Sequence, residues 1–230
     1  MLFRSFNRGV QIIRDTTDGA VGKVLAADGA SLGAALAEGL ERIDYYSGLQ
    51  KKALASTGRI VETARTRDFI ADLAPYEASL GEIGQSMAKR LRTIAENRAK
   101  IAGVKLAAIA PQETAWDREA ATLIPRRFHF GTLFLEEVPV SEWKEVKSSP
   151  HWWGETNWAS ASFWWVDGKR NLKEIKRLCE LEAGVPVAGF DLINYYRFLE
   201  KFKYVEFVPP SAEPARSEEH TSELQSPNTI

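Results

Sequence analysis

The sequence predicts a mainly α protein, a long helical hairpin followed by a small winged-helix-like α/β module, and three observations lead there. Between Ser31 and Ile101 apolar residues return mostly at three- and four-residue steps, the repeat of an amphipathic helix. Between Ala161 and Val208 an aromatic run, a turn dipeptide, two capped helical stretches and an alternating run follow one another. The composition, 44% hydrophobic and 27% charged over 230 residues, is that of an ordinary globular chain of one or two domains.

Taken in order, the chain opens on Met1-Leu2-Phe3-Arg4-Ser5, which resembles one end of a translated short-read sequencing adapter. Arg216 to Ser226 resembles translation of the opposite end, so residues 1–5 and 216–226 are read as artefact, within a disordered tail over 211–230. The natural part is then about Phe6 to Ala215, cut from a longer gene.

Residues 6–110 are assigned to the hairpin. Asn7 to Ala27 is punctuated by glycine, and its Asp15-Thr16-Thr17-Asp18-Gly19 cluster fits a helix cap or turn better than a cation loop, because it lacks alternating oxygen ligands and a terminal Glu. Leu32, Leu36, Leu40, Ile43, Leu49, Leu54, Ile60 and Val61 predict a helix from Ser31 to Thr63, kinked near Gly48 or Gly58. Its small residues would let a neighbouring helix approach closely. Pro75 breaks a short extension over Phe69 to Leu73, and a second helix runs from Tyr76 to Ile101. Its Lys89, Arg90, Arg92, Arg98 and Lys100 read as a solvated face rather than a phosphate-binding strip.

Residues 111–160 are expected to be an extended, Trp-rich connector. A short helix fits Thr114 to Leu123, and a strand or extended segment fits Ile124 to Pro139 around Gly131. Ser141 to Trp158 carries Trp143, Trp152, Trp153 and Trp158, either a packed flap or a stacking platform.

The module is assigned to 161–210. Phe163, Trp164, Trp165 and Val166 read as a strand ending at the Asp167-Gly168 turn. Asn171 and Glu174 form a capping-box pair, Leu172, Ile175, Leu178, Cys179 and Leu181 recur at helical spacing, and Gly184 and Pro186 end the helix. Asp191 caps a second helix carrying Leu192, Tyr195, Tyr196, Phe198 and Leu199. Tyr204 to Val208 alternates as a half-buried strand. The expected core is Phe163, Trp165, Leu172, Ile175, Leu178, Cys179, Leu192, Tyr195, Tyr196, Leu199 and Val205.

For chemistry the chain offers little. Cys179 is the only cysteine, so it forms no intrachain disulfide and no thiolate zinc cluster, and it packs as a small hydrophobe. His129 and His151 lie in different segments, and no nucleophile elbow, His-Glu-x-x-His, phosphate loop or dinucleotide fingerprint occurs. No catalytic or metal residue is assigned. Formal charge is 30 basic against 31 acidic residues, or 28 against 28 without Arg4, Arg216, Glu218, Glu219 and Glu223, which disfavours nucleic acid as a partner. No apolar run reaches the roughly 18 residues of a membrane span. The expected interaction surface is Trp152, Trp153, Trp158, Lys169 and Arg170.

Ile124-Pro125-Arg126-Arg127, Gly131, Leu133 to Glu136, Phe163 to Arg170, Glu180 to Gly184 and Tyr195 to Glu200 together resemble the C-terminal region of bacterial M28-type zinc aminopeptidases. The resemblance covers about Ser31 to Val208. In that family a W-x-D-G-K/R-R turn opens a small winged-helix-like module after the peptidase domain. The resemblance implies an accessory, non-catalytic region, with zinc held by an upstream domain, and as partners that domain and a second copy in a homodimer. The compartment stays open, with the bacterial cytoplasm slightly favoured. Two other readings stand beside it, a winged-helix DNA-binding regulator and a structural interaction module.

Overall fold

The computed structural model describes residues 2–57, 66–106, 113–128, 138–139, 141–142, 158–187 and 189–209. They are mainly helical, with seven helices and one two-stranded antiparallel sheet. The chain divides into two compact units, 1–112 and 113–230.

The first unit holds α1 (Leu2–Ala26), α2 (Leu32–Ser56) and α3 (Thr66–Ala102). It is a three-helix bundle rather than a hairpin. Gly9 lies against Gln50 and Leu80, and Gly39 against Ala20 and Leu91, so α2 runs antiparallel to both of its neighbours. Helix α1 is the element the sequence reading did not expect, since the Asp15 to Gly19 cluster sits inside it and not at a turn. Thr16 and Thr17 turn their hydroxyls onto the carbonyls of Ile12 and Ile13, each at 2.8 Å, which satisfies them without breaking the helix. Gly9, Ile13, Thr17, Ala20 and Val24 are buried at steps of three and four, an apolar seam made partly of small residues.

Helix α2 passes through Gly48 without interruption and ends at Ser56, short of Thr63; Gly58 lies outside the described residues. Pro75 is inside α3 rather than between two helices. A proline within a helix forfeits one hydrogen bond and costs roughly 3 kcal/mol. Here Leu73 and Leu80, on either side of it, are both buried in a cluster with Ile13 and Leu54, and that burial holds the helix together. A second cluster, built on Val24, Leu32, Leu36, Ile43 and Leu91, fills the rest of the bundle.

The second unit contains α4 (Ala115–Thr122), β1 (Ile124–Arg127), α5 (Trp158–Trp164), α6 (Leu172–Ala183), α7 (Leu192–Lys201) and β2 (Val205–Val208). Parts of the expected connector, namely α4, β1 and the start of α5, therefore belong to the same unit as the residues assigned to the module. Both capping boxes are formed: Thr114 with Asp117 before α4, and Asn171 with Glu174 before α6. Gly184 ends α6 in the left-handed conformation at φ 74°, with its N–H donating to the Glu180 carbonyl at 2.9 Å. The Asp191 side chain caps α7 by accepting from the Asn194 N–H.

The run Phe163 to Val166 is not a strand. Trp158, Ala159, Ser162 and Phe163 are buried at helical spacing and α5 covers them, while Trp164, the last residue of the helix, is 64% exposed. The partner of Val205–Val208 is instead Ile124–Arg127, in antiparallel register with Ile124 opposite Val208 and Arg126 opposite Glu206. That register sets a guanidinium against a carboxylate on one face of the sheet, at 2.7 Å. Gly131 and the rest of 129–137 lie outside the described residues.

One apolar cluster fills this unit. Of the expected core residues, Phe163, Leu172, Ile175, Cys179, Leu192, Tyr195, Tyr196, Leu199 and Val205 are buried, and Trp165 and Leu178 are half-buried. Among the described residues no helix is long and apolar enough to cross a membrane.

Candidate functional site

The Trp165 to Arg170 segment, on which the family resemblance leans most, folds into a tight corner between α5 and α6. Asp167 organises it: its carboxylate accepts from the backbone N–H groups of Lys169 and Arg170, both at 2.9 Å, and from the Arg170 guanidinium at 2.7 Å. Gly168 has φ +75°, a conformation open to glycine and strained for other residues. Its N–H donates to the Pro125 carbonyl at 3.1 Å, and a Cβ there would lie 3.3 Å from Cγ of Arg126. The Arg170 guanidinium sits over the Trp165 ring at 5.6 Å, and the Trp165 indole N–H donates to Glu182 at 3.1 Å. The Leu172 N–H reaches the Leu123 carbonyl at 2.9 Å, tying the start of α6 to the chain just before β1. This corner therefore fixes how α5, α6 and β1 meet.

The five residues expected to form an interaction surface are not brought together by the described structure. Trp152 and Trp153 lie outside the described residues. Trp158 is buried in the core at the start of α5, not exposed in a loop, because its large apolar area gains more from packing than from solvent. Arg170 is half-buried and engaged with Asp167 and Trp165. Lys169 is exposed at the tip of the turn.

The corner between α6 and α7 is held by Glu180. Its carboxylate accepts from Lys176 at 2.8 Å, from the Val187 N–H at 3.1 Å and from Arg177 at 3.3 Å. Burial works against ionisation of Glu180, yet the hydrogen bonds from Lys176 and Val187 and the two nearby cations outweigh it, and its pKa is held below the usual glutamate value. A carboxyl whose pKa is lower folded than unfolded stabilises the fold above its unfolded pKa, and that stability is lost as pH falls through the folded one. Glu180→Gln is therefore expected to lower the stability of this unit by about 1–3 kcal/mol at neutral pH. The gap to wild type should narrow below about pH 4.5, the ordinary glutamate value. Urea midpoints at several pH values check this, and a gap constant down to strongly acid pH would be the wrong sign of response.

Cations elsewhere in the unit are likewise matched to carboxylates. Lys173 pairs with Glu113, Arg197 with Glu119, Lys201 with Glu142 and Arg126 with Glu206. Sequence reasoning missed these four acids as partners, since each comes from a segment distant in the chain. The Lys176–Glu180 pair was legible, being an i, i+4 pair on one helix. On α7 six residues are buried, and the side left to solvent is Asn194, Arg197, Glu200 and Lys201.

Cys179 is buried, and burial, with smaller contributions from Glu182 and Glu180, pushes its thiol up to about 12. It stays protonated and packs against its neighbours. Burial also raises the Tyr195 hydroxyl well above its ordinary value. Among the described residues no group of three or more His, Cys, Asp or Glu is arranged to hold a metal ion, so no zinc role is derived for them. His129 and His151 lie outside the described residues. Comparison with protein-family models, curated proteins and solved structures returned no match for this chain.

Proposed function

We propose that the chain is an accessory region of a zinc-dependent aminopeptidase, positioning or oligomerising an enzyme whose hydrolytic chemistry resides in an upstream domain. The observation that carries this reading is the use made of the Trp165 to Arg170 motif. Its aspartate, glycine, arginine and tryptophan bond to one another and to neighbouring backbone, forming an architectural corner. A motif spent on holding α5, α6 and β1 together suits a module that packs. The winged-helix-like description belongs to the same reading, supported by the order α4, β1, α5, α6, α7, β2, in which the capped helices α6 and α7 are followed by a strand that pairs back onto β1.

The decisive experiment is recovery of the intact gene upstream of Phe6. The proposal expects an in-frame domain with paired His, Asp and Glu zinc ligands, and a natural start without such a domain overturns it. Hydrolysis of aminoacyl reporter substrates by residues 6–215 alone, with zinc supplied, would also contradict it.

A second reading, a winged-helix DNA-binding regulator, takes support from the same element order, which would make α7 the groove-reading helix. The chemistry of α7 weighs against it. Arg197 and Lys201, two of the four side chains on its solvent side, are paired with Glu119 and Glu142, leaving little net positive charge for phosphates. Salt-dependent binding to random duplex DNA would favour the regulator, and a flat titration at low salt the accessory region.

A further inference from the structure

We propose that the outer groove between α2 and α3 is a self-association surface, occupied by α2 of a second copy of this chain running antiparallel across it. The inference rests on the bundle alone and does not depend on the aminopeptidase reading. The groove has a volume of about 600 Å³, and its floor is made of small residues, Ser47 and Gly48 from α2 with Gly81 and Gly84 from α3. A Cβ built on Gly48 meets nothing within 4 Å, and one on Gly81 meets only the end of the Lys51 side chain at 3.8 Å. The backbone is open to another helix at Gly48 and, once the flexible Lys51 side chain moves aside, at Gly81, whereas Gly84 is already packed against Ser47 of the same chain.

Charge selects the occupant. Asp44 and Lys51 both line the groove and both are exposed. They lie two helical turns apart on α2, on either side of Ser47 and Gly48. Neither takes part in an ion pair among the described residues. A two-fold axis passing between Ser47 and Gly48 sets Asp44 opposite the partner subunit's Lys51, and Lys51 opposite the partner subunit's Asp44. The face is thus its own complement in the antiparallel sense, as an isologous interface requires. A parallel copy would align like charges instead.

Sedimentation of the full chain across a concentration series tests this. Wild type is expected to reach a dimer. Gly48→Leu adds a side chain where the monomer has room, so it should keep its helical circular dichroism while losing the dimer. Asp44→Lys and Lys51→Asp each place like charges opposite one another and should each weaken association by about tenfold or more. The double swap Asp44→Lys/Lys51→Asp restores opposite pairs and should return association to within about threefold of wild type, as should an equimolar mixture of the two single variants. A strictly monomeric wild type overturns the proposal, as does a dimer that survives both Gly48→Leu and the single charge reversals. If the single reversals dissociate the protein and neither the swap nor the mixture restores it, the antiparallel register is overturned.

Discussion

Gly39→Leu is expected to destabilise the three-helix bundle severely. Gly39 stands where α1, α2 and α3 converge, and a Cβ at that point would lie 2.7 Å from Cδ2 of Leu91 and 2.9 Å from Cβ of Ala20. Both neighbours are buried, and Ala20 has no rotamer by which to retreat. Overpacking of this kind costs typically 1–3 kcal/mol, and a leucine adds three further carbons beyond the clashing one, placing this change at or above the upper end. Against it stands a gain of about 1 kcal/mol from replacing a mid-helix glycine with a better helix former. At protein concentrations below self-association Gly48 supplies the internal control, since within one copy of the bundle a Cβ there meets nothing within 4 Å and the propensity gain is kept. Thermal unfolding followed by far-ultraviolet circular dichroism should show a large drop for Gly39→Leu and none for Gly48→Ala. Equal midpoints for the two would mean that the helices do not meet at Gly39.

In the second unit the largest loss is expected from Tyr196→Ala. Tyr196 is completely buried, its ring lies edge-on to Tyr195 at 5.3 Å, and its hydroxyl donates to Oγ of Ser162 on α5 at 3.3 Å. Removing a buried aromatic ring costs about 3–5 kcal/mol through lost contacts and the cavity left behind. Tyr196→Phe keeps the ring and should cost only about 1 kcal/mol. Ser162 also stays satisfied, because its hydroxyl donates to the Ala159 carbonyl at 3.1 Å. All seven tryptophans fall between Trp116 and Trp165, so the indole fluorescence belongs to this unit. The emission midpoint in urea should fall steeply for the alanine variant and slightly for the phenylalanine one. A loss for Tyr196→Phe as large as for Tyr196→Ala would place the stabilisation in the hydroxyl rather than the ring.

What could be seen in advance was local. Asn171 with Glu174, Gly184 and Asp191 announced the ends of α6 and α7 because capping is decided within a few residues of chain, and the structure places those ends as expected. The failures came where distant packing overruled local preference. Pro75 marks a break on its own terms, yet burial of Leu73 and Leu80 carries α3 through it. Phe163 to Val166 is rich in residues that favour strands, and α5 forms because Trp158, Ala159, Ser162 and Phe163 bury one helical face. Helix α1 was hidden because its seam uses glycine, threonine and alanine, whose smallness lets helices approach but adds little to a hydrophobic pattern. The candidate surface was less legible still. Whether a cation is spare or matched depends on acids such as Glu113, Glu119 and Glu142, which only the folded chain brings near.

The antiparallel ladder between Ile124–Arg127 and Val205–Val208 also bears on how the polypeptide emerges from the ribosome. Its charged pair, Arg126 with Glu206, joins positions eighty residues apart, so the ladder has no second strand until nearly all of the intervening chain has been translated. In the first unit α2 packs against the helices before and after it, and all three helices are synthesised by Ala102, so the bundle is free to assemble while the rest is being made, whereas the ladder must wait for Val205–Val208 and close a long, entropically costly loop. A nascent chain arrested before Val205 should therefore resist protease over its first unit and be cut readily beyond Glu113.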